Sequence, residues 1–161
     1  MSLSIRTSSA TSLGSPTSVS LGGYASNAAP SGSTNGFWDA VSTGQADAHT
    51  VEYRCLFVYN NGIYQVTGVK VAISNQLSGG STIAVAMNSA AAAPVASYTS
   101  AVIASEASAP TTLGWVTSVT LGTLEAGQVR HFWLRRTALG DKAVSGDYVT
   151  LAITGTEVIP E

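Results

Sequence analysis

The amino-acid sequence predicts an all-β protein folded as an antiparallel β-sandwich, on three observations. Apolar and polar side chains alternate with a period of two in several segments, which is the pattern of strands. Turn-forming residues separate seven or more of these segments, as they do in sandwiches. No segment shows the apolar spacing of a convincing amphipathic helix. A closed β-barrel is the alternative that these observations leave open.

The length and composition predict one domain with an N-terminal extension. The chain has 161 residues, 45% of them hydrophobic. Residues 1–35 are rich in Ser, Thr, Gly and Ala, and they contain too few large apolar side chains to offset the entropy of ordering them. We therefore predict an extended N-terminal arm over residues 1–35, which becomes ordered on a neighbouring molecule, and a β-sandwich domain over residues 36–161.

The most regular strand is predicted over residues 51–59. One face carries Val51, Tyr53, Cys55, Phe57 and Tyr59, and the other carries Glu52, Arg54, Leu56 and Val58. Asn60, Asn61 and Gly62 follow, and because Asn and Gly tolerate positive φ they predict a tight hairpin. The return strand of this hairpin carries Val69, Val71 and Ile73.

The alternation continues through the second half of the chain. Residues 88–94 are too short for a stable helix and end at a proline, so a loop or a single turn is expected there. Turns are expected at residues 79–80 and 124–127, and a polar loop over 139–146. The remaining strands are predicted over 83–87, part of 95–103, 115–121, 129–136 and 148–154.

The charge and the distribution of apolar residues exclude several classes of partner. The net charge of −2 lacks the basic footprint that phosphate contacts need, so no nucleic-acid partner is expected. No apolar run approaches the length of a membrane span, and the N-terminus lacks the pattern of a cleaved leader, so we expect a soluble chain made in the cytoplasm with no membrane partner. Only 10% of the residues are charged. This predicts a neutral surface, which fits a chain packed against other subunits or a set of Thr-rich strands.

The residues that could carry chemistry predict no catalytic site, no metal site and no cofactor. Cys55 cannot form a disulfide within the chain and is expected to be a small buried apolar residue. His131 lies in mid-strand, where a structural role is expected, and His49 has no nucleophile elbow to serve. Asp141 and Asp147 lie beside glycines, but their spacing is not that of a calcium loop.

Arg135 and Arg136 are predicted to point to opposite faces of one strand. One guanidinium is then expected to face solvent or a partner. The other is expected to pair with a carboxylate such as that of Glu52 or Glu125.

Four segments resemble small structural proteins of tailed bacteriophages. They are VEYRCLFVYNN (51–61), VKVAIS (69–74), LEAGQVRHFWLRRT (124–137) and DYVTL (147–151). The resemblance covers roughly residues 45–156, and none of its parts is a catalytic signature. It implies an immunoglobulin-like or jelly-roll sandwich on the virion surface, acting as a head decoration or cement protein. The implied partners are the major capsid protein, across capsomer junctions, and copies of the chain itself, often as a trimer.

A decoration role needs contact surface and no chemistry, because many copies bind one shell. We expect the arm to add backbone hydrogen bonds to a neighbour's sheet. Deletion of residues 1–23 is then expected to leave a folded sandwich that no longer binds shells. The residues expected to bind the partner are Leu3, Ile5, Leu13, Val19, Leu21, Tyr24 and Trp38.

Two other functions use the same fold. A tail, neck or baseplate subunit is not separated from a head protein by any residue. A carbohydrate-binding module would need Trp38, Trp115 or Trp133 exposed as a stacking platform. Trp115 and Trp133 lie in predicted strands and are expected in the core, so Trp38 is the best candidate for an exposed ring.

Overall fold

A computed structural model of the chain describes residues 2–30, 37–76, 81–111, 113–139 and 148–160. The predicted turn at 79–80 and most of the predicted loop 139–146, with Asp141 and Asp147, lie outside these residues. The elements formed are β1 (Leu3–Arg6), β2 (Ser8–Ser9), β3 (Tyr24–Ala25), α1 (Thr43–Asp47), β4 (Val51–Asn60), β5 (Gln65–Gln76), β6 (Thr82–Ala86), β7 (Ala93–Pro94), β8 (Ser118–Leu124), β9 (Gln128–Thr137) and β10 (Val149–Val158).

The strands form antiparallel sheets that pack face to face, which confirms the predicted all-β sandwich. The first sheet has the order β1-β4-β9-β6, and β7 also pairs with β9. The second sheet has the order β10-β5-β8. A small third sheet joins β2 to β3. In the first sheet Leu56 of β4 is opposite Phe132 of β9, and Cys55 is opposite Trp133.

The central strands β4 and β9 are buried on both faces. One face contributes Leu56, Val58, Phe132 and Leu134 to the core between the two large sheets, where they meet residues of β5, β6 and β8. The other face contributes Cys55, Phe57, Val129 and Trp133 to a second cluster, which Ala25, Tyr98 and Ile103 cover from irregular segments and β3. The period of two therefore separates two buried faces here, not a buried face from an exposed one.

The prediction of a tight hairpin at Asn60–Gly62 is wrong. Residues 61–64 carry the chain from the first sheet to the second, because β4 pairs with β1 and β9 while β5 pairs with β10 and β8. The buried Asn60 side chain holds this corner by donating to the carbonyls of Tyr64 (2.8 Å) and Leu124 (3.0 Å) and by accepting from Gly62 N–H (3.1 Å). The amide that favours a turn thus closes an arch between sheets.

The division of the chain at residue 35 is also corrected, because residues 2–30 are part of the sandwich. Strand β1 forms the edge of the first sheet, with Leu3 opposite Asn60 and Arg6 opposite Phe57. Ser20 is buried, its carbonyl accepts the Cys55 N–H at 2.7 Å, and its hydroxyl donates to the Cys55 carbonyl at 2.5 Å. Short polar side chains therefore integrate this segment by hydrogen bonding, which a count of apolar residues does not reveal.

Two local predictions also differ from the structure. Residues 95–103 form turns and irregular chain, and the strand expected over 115–121 begins at Ser118. Helix α1 was not predicted, although Ser42 and Gln45 form a capping box at its start: Ser42 Oγ accepts from Gln45 N–H, and the Gln45 side chain accepts from Ser42 N–H.

Candidate functional site

The predicted partner-binding residues are mostly used within the fold. Leu3 and Ile5 pack against the core between the sheets, and Leu21 packs against the second cluster. Val19, Tyr24 and Trp38 are half-buried. Leu13 is the one member of this predicted set that is exposed. The structure therefore does not bring the seven residues together on one free surface.

Trp38 lies over a cluster of buried charges at one end of β4 and β9. The guanidinium carbons of Arg54 and Arg136 lie 4.6 and 4.8 Å from its ring centroid. Arg136 Nε donates to Glu52 at 2.8 Å, and Arg54 Nη2 donates to Glu106 at 2.6 Å. The cations also donate to the carbonyls on either side of Trp38, those of Phe37 and Asp39. This arrangement is a charge-neutral structural network.

The division of the two arginines between opposite faces is confirmed. Arg136 pairs with Glu52 on the core face, and Glu52 is one of the two carboxylates that the sequence predicts for this pair. Arg135 lies with its guanidinium carbon 5.0 Å from the ring centroid of Trp115 on the other face.

None of the three tryptophans presents a free stacking platform. Trp133 is buried in the second cluster. Trp115 is half-buried against Arg135 and Tyr53, and Trp38 is half-buried against the guanidinium groups of Arg54 and Arg136. The expectation of an exposed ring at Trp38 is therefore wrong, because the ring packs on the charged groups of β4 and β9 and shields them from water.

His131 and Cys55 are buried, as their places in the strands predicted. The backbone N–H of His131 donates to the Tyr98 hydroxyl at 3.3 Å, so that hydroxyl can donate to His131 Nδ1 at 2.6 Å. Burial, with a smaller contribution from the charge of Arg130, lowers the pKa of His131 to about 4. Burial raises the pKa of the Cys55 thiol to about 12, against the opposing effect of its hydrogen bond with Ser100. At neutral pH both side chains are therefore uncharged.

The low pKa of His131 predicts a loss of stability in acid. The unfolded chain binds the proton near pH 6.5 and the folded chain only near pH 4, so the free energy of unfolding falls as the pH decreases between these values. The loss amounts to about 3 kcal/mol once the pH is below 4. Urea unfolding of the native chain and of His131→Asn, at pH 7 and pH 4.5, measures it. The variant is expected to show a smaller pH dependence; an equal slope in both chains would assign the acid sensitivity to other groups.

One small groove has no features of a ligand site. It has a volume of about 230 Å³, below the range that is usual for small-molecule sites. None of the described residues that line it is charged; they are Thr7, Pro16, Thr17, Ser18, Ser20, Ala29 and Phe37.

Three large apolar side chains are exposed near one end of the second sheet. Ile63, Ile159 and Val158 are 81%, 64% and 45% exposed. Val158 is opposite Gln65 in the β10–β5 register, so Ile159 continues alongside the 61–64 connection that carries Ile63. We call these three residues the apolar end. The sequence pattern does not indicate these exposed residues, because it places Ile63 beside a hairpin turn and ends the last strand at residue 154.

Comparison with protein-family models, with curated protein sequences and with solved structures finds no match. In the described part of the chain, no helix has the length and apolarity needed to cross a membrane. Within the same residues, no three His, Cys, Asp or Glu side chains are grouped so that they could hold a metal ion.

Proposed function

We propose that the protein is a non-enzymatic structural component of a tailed-phage virion, a head decoration protein that binds the major capsid protein across capsomer junctions. The observation that carries the proposal is the exposure of Ile63 (81%) and Ile159 (64%) at the apolar end, on a chain with few charges. Large exposed apolar side chains of this kind are typical of contact surfaces between proteins.

The places of the reactive side chains in the fold support the same proposal. His131 and Cys55 are buried and uncharged, and the ion pairs of Arg54 and Arg136 hold the Trp38 segment in place. These groups are engaged in contacts within the fold. A cement protein needs such a stable body and a contact surface, since its effect arises from many weak contacts on one particle.

Co-sedimentation with expanded, undecorated capsids of the phage that encodes the chain tests the proposal. We expect saturation at a multiple of the symmetry-related sites of the shell. The double variant Ile63→Asp/Ile159→Asp is expected to bind about 100-fold more weakly. Each isoleucine side chain that becomes buried on the capsid contributes at least about 1.5 kcal/mol to the free energy of binding.

The matched control is Val102→Asp. Val102 is 70% exposed, in the segment that covers the opposite face of the first sheet. This variant is expected to bind capsids like the native chain. Absence of capsid binding by the native chain, or equal binding by the double variant, would overturn the proposal; binding to isolated tails instead would assign the chain to the tail.

A further inference from the structure

The outer edge of β10 differs from the other sheet edges of this molecule. Strand β10 has ten residues, Val149–Val158, and no described residue pairs with its side away from β5. Half of the backbone N–H and C=O groups of such an edge strand point away from its sheet, where another strand can bind them. Its sequence contains no Lys, Arg or Pro, and its only charge is Glu157.

The other described edges carry features that hinder pairing. Strand β1 has four residues and includes Arg6, and β7 has two residues and includes Pro94. Strand β6 has five residues, and β8 is irregular at Gly122, whose φ is +82°. Shortness, charge, proline and bulges are the ordinary protections of sheet edges. Among the described edges, β10 is the longest and has no proline and no basic residue, although its pairing with β5 shifts register between Thr150 and Leu151 and between Thr154 and Thr156.

We propose that two copies of this chain pair through β10, antiparallel about a two-fold axis at Ile153, so that their second sheets join into one six-stranded sheet. The alternation of exposure along β10 supports this axis. The even-numbered residues lie on the outer face, where all but Ala152 are exposed, and the odd-numbered residues face the core side. A two-fold axis perpendicular to the sheet places the outer face of one copy beside the outer face of the other, and the core side beside the core side.

The register about Ile153 uses the whole strand. Exposed Tyr148 (49%) lies before one end of β10, and exposed Val158 (45%) lies at the other end. In this register each tyrosine is directly opposite Val158 of the second copy, so two exposed apolar pairs are buried at once. Between them Thr150 is opposite Thr156, and Ala152 is opposite Thr154.

The side chains on the core side of β10 and its single charged residue also favour a second copy of this chain as the partner strand. Ile153 is half-buried and meets Ile153 of the second copy, and Leu151 is opposite Gly155, which has no side chain. The single acid, Glu157, is opposite Val149, whereas a parallel pair would place Glu157 beside itself. Self-pairing thus brings the two Ile153 side chains together and keeps the two Glu157 carboxylates apart.

Sedimentation equilibrium of the native chain over a range of concentrations tests the pairing. We expect a dimer of twice 16.4 kDa. Thr150→Lys/Thr156→Lys places two lysines opposite each other at two positions and is expected to weaken the dimer about 10-fold or more. Thr150→Lys/Thr156→Glu has equally polar side chains but forms two opposite-charge pairs, and it is expected to restore the dimer.

Both threonines are exposed, so these variants should fold; circular dichroism checks this. Thr123→Lys, on the exposed face of β8, is the control and is expected to leave the mass unchanged. A native monomer, a trimer, or a dimer that is equally stable in both double variants would overturn the inference. It does not depend on the virion role, because the mass is measured without capsids.

Discussion

A chain lacking residues 2–23 is expected to lose its cooperative unfolding transition and to expose its core. The deletion removes β1, which covers residues Phe57–Asn60 of β4, and Ser20, which covers both backbone groups of Cys55. Each buried backbone group left without a partner costs about 1–3 kcal/mol. The summed cost of several such groups is as large as the total stability of about 5–15 kcal/mol that a domain usually has.

Urea unfolding followed by circular dichroism and tryptophan fluorescence measures this effect. Ser20→Ala provides a graded comparison, since it removes one buried hydroxyl that bonds Ser8 and Cys55 and is expected to cost about 1–3 kcal/mol. Ser18→Ala, at an exposed position nearby, should have little effect. A truncated chain with the native transition would restore the idea of a separable arm.

Glu52→Ala is expected to lower the free energy of unfolding by about 3–5 kcal/mol, because it leaves the Arg136 guanidinium buried without its carboxylate. The remaining contacts of Arg136 with the Asp39 carbonyl and the Trp38 ring do not supply a negative charge. The same urea titration measures the change.

Two variants distinguish a buried charge from lost packing. Glu52→Leu/Arg136→Met removes both charges and is expected to recover most of the loss. Glu106→Ala is expected to cost less than Glu52→Ala, since the Glu106 side chain is 31% exposed and water can replace it beside Arg54. A loss below about 1 kcal/mol for Glu52→Ala would contradict a tightly buried pair.

The local alternation of the sequence was enough to identify strands and their faces. Residues 51–59 and 129–136 were predicted as strands, and both lie within β4 and β9. The opposite directions of Arg135 and Arg136 follow from the same period. Side-chain direction in a strand is a local property, so it can be obtained without knowing the neighbouring strands.

Strand partners could not be obtained in this way. Asn60, Asn61 and Gly62 have the composition of a hairpin, but a turn signal does not state whether the next strand joins the same sheet. The choice was decided by β9, about 70 residues farther along the chain, because pairing β4 with β9 buries two apolar faces at once. Such long-range pairing lies outside any local window.

The sequence by itself determined the all-β class, the alternating faces of the long strands and the scarcity of charge. Only the tertiary structure decided that residues 2–30 belong to the sandwich, because Ser8 and Ser20 are buried through partners that lie far along the chain. It also decided which apolar residues stay exposed. Ile63, Val158 and Ile159 resemble core residues in composition, and their exposure arises because the second sheet ends where they lie.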